Sequence, residues 1–219
     1  VTRTSRQAPL RVDAERNRQQ IVDAARAAFA ERGLDVPMHE IARRAGVGVG
    51  TLYRRFPTRA DLIAGAFEEK MRNYADGVEV ALEDPDPWAG FCGYVERLCL
   101  MQSTDRGFGH VLTLTFPTAK AFEATRRRAY SGFKTLVARA KESGALRRDF
   151  VPEDLIMLLL ANAAVLAETY ETAPRMSARL VAYLLQAFAA PARGELPTPP
   201  TPNQTYRSLL RLAGETADG

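Results

Sequence analysis

Residues 37–56 read PMHEIARRAGVGVGTLYRRF, and the fold turns on how this stretch is parsed. Ile41, Ala42 and Ala45 give one short helix an apolar face. Pro37 suits its opening position, where a backbone N–H would have no partner anyway. Gly46 can take the positive φ of a helix C-cap. Val47 then plugs inward, and a second short helix turns Leu52 and Phe56 to the same core before Pro57 stops it. Two helices this short cannot bury a core alone, so they must lean on flanking helices. Short helix, tight turn and short helix, with Thr51, Tyr53, Arg54 and Arg55 outside the apolar seam, is the pattern of a helix-turn-helix whose second helix enters a DNA major groove. An ordinary helical hairpin with a solvated basic face would share the spacing.

The longer run AGVGVGTLYRRFPTRADL resembles the signature of the TetR family of bacterial transcriptional regulators. The likeness extends upstream through IVDAARAAFAERGLD and covers about Asn17 to Phe67. Three positions depart from the family pattern. Pro37 stands where a phosphate-contacting Thr is frequent, Gly48 where Ser is common, and Arg55 where His is common. The resemblance implies base contacts from His39, Val49, Gly50, Thr51 and Arg54. It implies phosphate contacts from Met38, Tyr53, Arg55 and Arg59, with Arg44 a further backbone candidate. Arg54 is the expected guanine reader, because its fork can bond O6 and N7 together.

Charge is distributed as a nucleic-acid-binding head requires. Of 219 residues, the first 75 carry 13 Arg and one Lys against nine acids, while the remaining 144 balance 16 basic against 17 acidic groups. A basic third beside a near-neutral body is an electrostatic footprint for phosphate. Residues 1–12 add three Arg and no acid. They read as a disordered arm, either a plain flexible terminus or a phosphate-neutralising extension.

Helical periodicity continues down the chain. Residues 13–32 form a first helix with Ile21, Ala25, Ala28 and Phe29 in one stripe, within a head of residues 13–75. Thr58 and Asp61 make a capping-box start for a fourth helix. Ile63, Phe67, Met71, Tyr74 and Val78 follow on one face, so this helix should run unbroken from the DNA-facing motif into the body. The expected fold is all-α: a three-helix head joined through this helix to a larger helical domain of residues 76–190. Within that domain, helices are expected at 88–103, 111–116, 118–143, 152–170 and 177–189, with Gly107 and Gly109 breaking the pattern before the short second one. The Arg126, Arg127 and Arg128 triplet reads as a solvated face. Residues 191–219 form a Pro-rich tail, with a weak amphipathic turn at 206–212.

From Leu155 to Ala167 only Asn162 is polar, and a helix apolar all round must be covered on every side. That places a self-association interface on Leu155, Leu158, Leu159, Asn162, Val165, Leu180, Leu184 and Phe188, making the chain a homodimer on a near-palindromic double-stranded operator. The resemblance also implies an effector cavity between the body helices, assigned to Phe91, Tyr94, Leu98, Met101, Phe108, Phe116, Phe133 and Asn162 and suited to a small apolar molecule. Asn162 either orients that ligand or pairs across the dimer. No cofactor or metal is expected: two histidines, and Cys92 and Cys99 without His ligand spacing, make no zinc site or disulfide framework. The thiols read as reduced core groups of a cytoplasmic protein, and no membrane span is visible. The expected function is a repressor released by a small effector. The alternatives are an effector-free architectural or division-linked DNA binder and an enzyme that has borrowed the head.

Overall fold

The computed structural model describes residues 7–215, with side-chain surroundings for 15–212. Ten helices are present among them: α1 (Gln7–Arg32), α2 (Met38–Arg44), α3 (Val49–Arg55), α4 (Arg59–Leu82), α5 (Pro87–Thr104), α6 (Arg106–Thr113), α7 (Lys120–Glu142), α8 (Pro152–Thr169), α9 (Arg175–Phe188) and α10 (Pro202–Glu215). Of the expected arm, residues 1–6 lie outside the described residues, and 7–12 belong to α1.

The head packs α1, α2 and α3 around Ile21, Phe29, Ile41 and Leu52, all fully buried. Each such side chain contributes about 1.5–3 kcal/mol by leaving water. Gly33 and Gly46 end α1 and α2 at φ 80° and 67°, where a side chain would strain the backbone. Thr58 and Asp61 form the expected box: each main-chain N–H reaches the other side chain at 3.1 Å. From there α4 runs 24 residues without a break.

In the body α4 lies along α7. A Cβ on Gly132 would come within 2.6 Å of Val78 Cγ1, so the glycine lets these helices close up. Arg128 of α7 reaches Asp76 at 2.5 Å and Glu79 at 2.8 Å on α4. The Arg triplet is therefore not a uniform solvated face. Arg126 also turns inward, and Arg127 alone stays exposed without an ion pair.

α6 begins five residues earlier than its sequence reading, and Gly107 and Gly109 lie inside it. The Asp105 carboxylate accepts from the Phe108 N–H at 3.0 Å and caps the helix. The glycines answer to neighbours. A Cβ at Gly107 would meet Phe67 Cζ at 3.0 Å and the Phe29 backbone at 3.3 Å. The tail also differs, because residues 202–215 are helical and Leu209 is buried. Thr201 opens this helix with a reciprocal cap, its N–H reaching Gln204 Oε1 at 2.8 Å and its Oγ1 accepting from the Gln204 N–H at 3.3 Å. Upstream, Arg147 grips Asp149 through two nitrogens at 2.6 and 2.9 Å and donates to Gly194 O at 2.8 Å. Asp149 in turn accepts from the Leu196 N–H at 3.0 Å.

Candidate nucleic-acid interface and cavity

At the outer end of the head, α3 presents Val49, Gly50, Tyr53, Arg54 and Arg55 to solvent, with Thr51 half-buried beside them. Arg54 Nη2 donates to Thr51 Oγ1 at 2.9 Å, which steadies the guanidinium along the helix. A Cβ on Gly50 would meet nothing within 4 Å, so no packing inside the chain requires glycine there. Its smallness leaves room for an outside surface to approach the backbone. His39 on α2 is exposed as well.

Three of the expected contact residues have partners or burial within the chain. Met38 is buried in the head core. Arg59 turns back and donates to Leu34 O at 2.8 Å and Val36 O at 2.7 Å, fastening α4 to the α1–α2 loop. Arg44 pairs with Glu31 at 2.7 Å and Glu40 at 3.3 Å, and Glu40 also takes Arg32 at 2.5 Å. Arg32 beside it, and then Arg44, hold the Glu40 carboxyl below its ordinary pKa. Arg44 therefore joins α2 to α1 more than it waits for DNA. Arg43, which the sequence reading passed over, leaves 76% of its side chain exposed. It sits one turn beyond His39 on one helical face, and that i, i+4 spacing is the signal that could have found it.

In the body a cavity of about 610 Å³ opens between α4, α6, α7, α8 and α10. Its wall includes Tyr74, Leu112, Thr115, Tyr130, Phe133, Leu155, Ile156 and Leu159, with Lys120 and Arg127 exposed at its edge. Of the expected pocket residues only Phe133 lines it. Phe91, Tyr94, Leu98 and Phe108 are packed core, Met101 is half-buried against that core, and Phe116 is buried against Phe122. Aromatic content marks interior, and core and cavity wall look alike by that test. Burial, then the hydrogen bond Tyr130 donates to Glu153, push the Tyr130 hydroxyl up to about 12, so it remains a donor at neutral pH.

Asn162 is held by partners inside the chain. It is fully buried, donates to Gln102 Oε1 at 2.9 Å and accepts from Ser177 Oγ at 2.7 Å. Gln102 completes the chain by donating to Leu159 O at 3.0 Å, so the group bolts α5, α8 and α9 together. Leu155, Leu158, Leu159 and Phe188 are likewise buried within the chain, while Val165, Leu180 and Leu184 are half-buried. The large apolar side chains that α8 and α9 leave exposed are Met157, Leu160, Met176 and Tyr183.

Residues 21–66 match the model for bacterial regulatory proteins of the tetR family, and residues 86–188 match that of the SbtR-like transcriptional regulator C-terminal domain. The chain belongs to the TetR family. An HTH-type transcriptional regulator of Staphylococcus aureus strain USA300 is 44% identical over 54 residues, 24% of this chain and 29% of that protein. The match thus spans under a third of the length of such curated relatives. A TetR transcriptional regulator of Streptomyces coelicolor is 28% identical over 80% of this chain and 99% of its own, with a TM-score of 0.50. The fold is also that of the transcriptional regulator FadR from Bacillus subtilis, at 17% identity, 78% and 97% coverage and a TM-score of 0.61. This TetR-family regulator therefore carries an HTH head on a larger helical body. Among its described residues no helix is long and apolar enough to cross a membrane.

Proposed function

We propose that this TetR-family regulator is a homodimeric repressor that leaves a near-palindromic operator when a small molecule occupies the 610 Å³ cavity. One observation carries the reading: α6 touches both the cavity and the head. Leu112 near its end and Thr115 just beyond line the cavity. At its start, Phe108 lies 5.8 Å from the Phe67 ring, which is 6.0 Å from Phe29 of the head. A ligand that prefers one position of α6 then biases the tilt of the head, by no more than its differential affinity for the two states. Two regulators of the same fold, FadR from Bacillus subtilis and RolR, were solved with stearoyl-CoA and resorcinol. Those ligands agree with a body able to house an effector, and they do not specify this one.

The exposed face of Met157, Leu160, Met176 and Tyr183 supports pairing of two copies, which would cover it. Two-fold symmetry would then set half-sites about one helical turn (~34–36 Å) or slightly more apart. The deciding experiment is a fluorescence-anisotropy titration of duplexes selected from random sequence, repeated with each small molecule shown to bind the protein. Saturable binding to a palindrome that collapses on adding a ligand is the expected result. Operator affinity untouched by every bound ligand would overturn effector control.

A further inference from the structure

We infer that the cavity takes an amphiphilic organic anion, its acid group at Lys120 and Arg127 and its apolar body enclosed by α10. The inference rests on reading this cavity as the effector site. Three cations and two carboxylates line it. Glu123 is occupied by Arg126 at 3.3 Å and by the Phe116 N–H at 2.9 Å, and Glu153 accepts from Tyr130 at 2.9 Å. Among the described residues Lys120 and Arg127 have no such partner. They stand two helical turns apart on α7, and both are exposed at the edge of the space. Lys120 is also the first residue of α7, whose N-terminus has no side-chain cap, so its field adds to theirs.

Inward of these charges the wall turns apolar, with Phe133, Leu155 and Leu159 buried. Thr115, 5% exposed, has a buried hydroxyl with no hydrogen-bond partner among the described residues, and so does Thr205 of α10, which lines the same cavity. Two orphaned hydroxyls in the lining of one cavity point to a polar atom arriving with a guest.

α10 supplies the remaining wall. Pro202, Thr205, Tyr206 and Leu209 recur at i, i+3, i+4 and i+7, and all four face the cavity. The helix lies outside both segments that match the family models, so this wall is not one those models describe. Its apolar stripe meets the cavity and would meet the body of a ligand.

The test uses the full chain and two fluorescent probes of similar shape, anionic 1-anilinonaphthalene-8-sulfonate and neutral N-phenyl-1-naphthylamine. Lys120→Gln with Arg127→Gln should weaken the anionic probe about tenfold and leave the neutral one unchanged. Leu209→Asp, or Tyr206→Ser at a more exposed position, should weaken both. Ile156→Trp, which fills the cavity, should abolish both and so locate them there. Equal affinities for the two probes, or loss of both on removing the cations, would overturn the anion assignment. Probe binding unchanged by both α10 variants, or surviving Ile156→Trp, would overturn the site. Binding as expected without any effect on operator affinity would leave the ligand class standing and sink effector control instead.

Discussion

Arg126 of α7 donates from Nη2 to the carbonyl oxygen of Val111 at 2.9 Å, fastening α7 to the last turn of α6. Nη1 reaches Leu112 O at 3.3 Å, and Glu123 holds the guanidinium from the other side. The last carbonyls of a helix lack the usual i+4 donor, so a cation there adds bonds to them and suits the dipole. Arg126→Met keeps the stem and removes the bonds. It should cost about 1–3 kcal/mol in thermal unfolding. Operator affinity without ligand should change less than about threefold while ligand-driven release is blunted.

On the DNA-facing end, Arg54→Ala should lose sequence preference, at about 1–3 kcal/mol for one base pair. Arg43→Ala and Arg55→Ala should weaken all duplexes alike, and each should reduce the log–log salt slope by about 0.9. Arg59→Ala belongs to another class. Its bonds end on Leu34 and Val36, so it should lower the melting temperature of the head first. Binding isotherms at three salt concentrations beside a melting curve separate these outcomes.

For self-association, Leu160→Asp and Tyr183→Asp should give folded monomers, because both positions are exposed in the single chain. Leu158→Asp should unfold it, since that side chain is only 2% exposed. Sedimentation at micromolar concentration, with circular dichroism on each variant, reads both halves. A monomeric wild type would defeat the interface.

The grip of Arg147 holds the Asp149 carboxyl well below the ordinary carboxylate range, with the Leu196 N–H assisting. A depressed folded pKa means the contact is fully present above the unfolded value, about 3.9. It is lost only as pH falls through the lower folded value. The Leu196 amide should therefore stay protected from hydrogen exchange between pH 4 and 7 and open in stronger acid. Asp149→Ala should remove that protection throughout the range and speed proteolysis of residues 194–201.

Cys92 and Cys99 should resist alkylation in the native protein. Burial, and then the Glu96 charge, push their thiols up to about 11 and about 12. Both are far from the thiolate form that reacts. Mass spectrometry after iodoacetamide at pH 7.5 should find them unmodified until the chain is unfolded.

The head was legible because its punctuation is local. Pro37, Gly46, Pro57 and the Thr58–Asp61 box each act on their own few residues. α6 was not, since Gly107 and Gly109 look like breakers until Phe67, Phe29 and Gln102 are seen against them. α10 was half legible: Thr201 and Gln204 spell a capping box that the surrounding prolines obscured. The surroundings of Arg59 and Met38 were not legible for a further reason. A motif position fixes where a residue stands, while its hydrogen bonds and burial depend on what the rest of the chain brings beside it.

The bonds from Arg59 to Leu34 and Val36 have a mechanical consequence. They weld the first turn of α4 to the α1–α2 loop, so the head travels with that helix as one block. With 24 residues, α4 is a lever about 36 Å long. Rocking its body end through about 5° would carry the head roughly 3 Å. That is the width of a hydrogen bond, and a reading helix displaced by that much no longer meets the base edges it was set against.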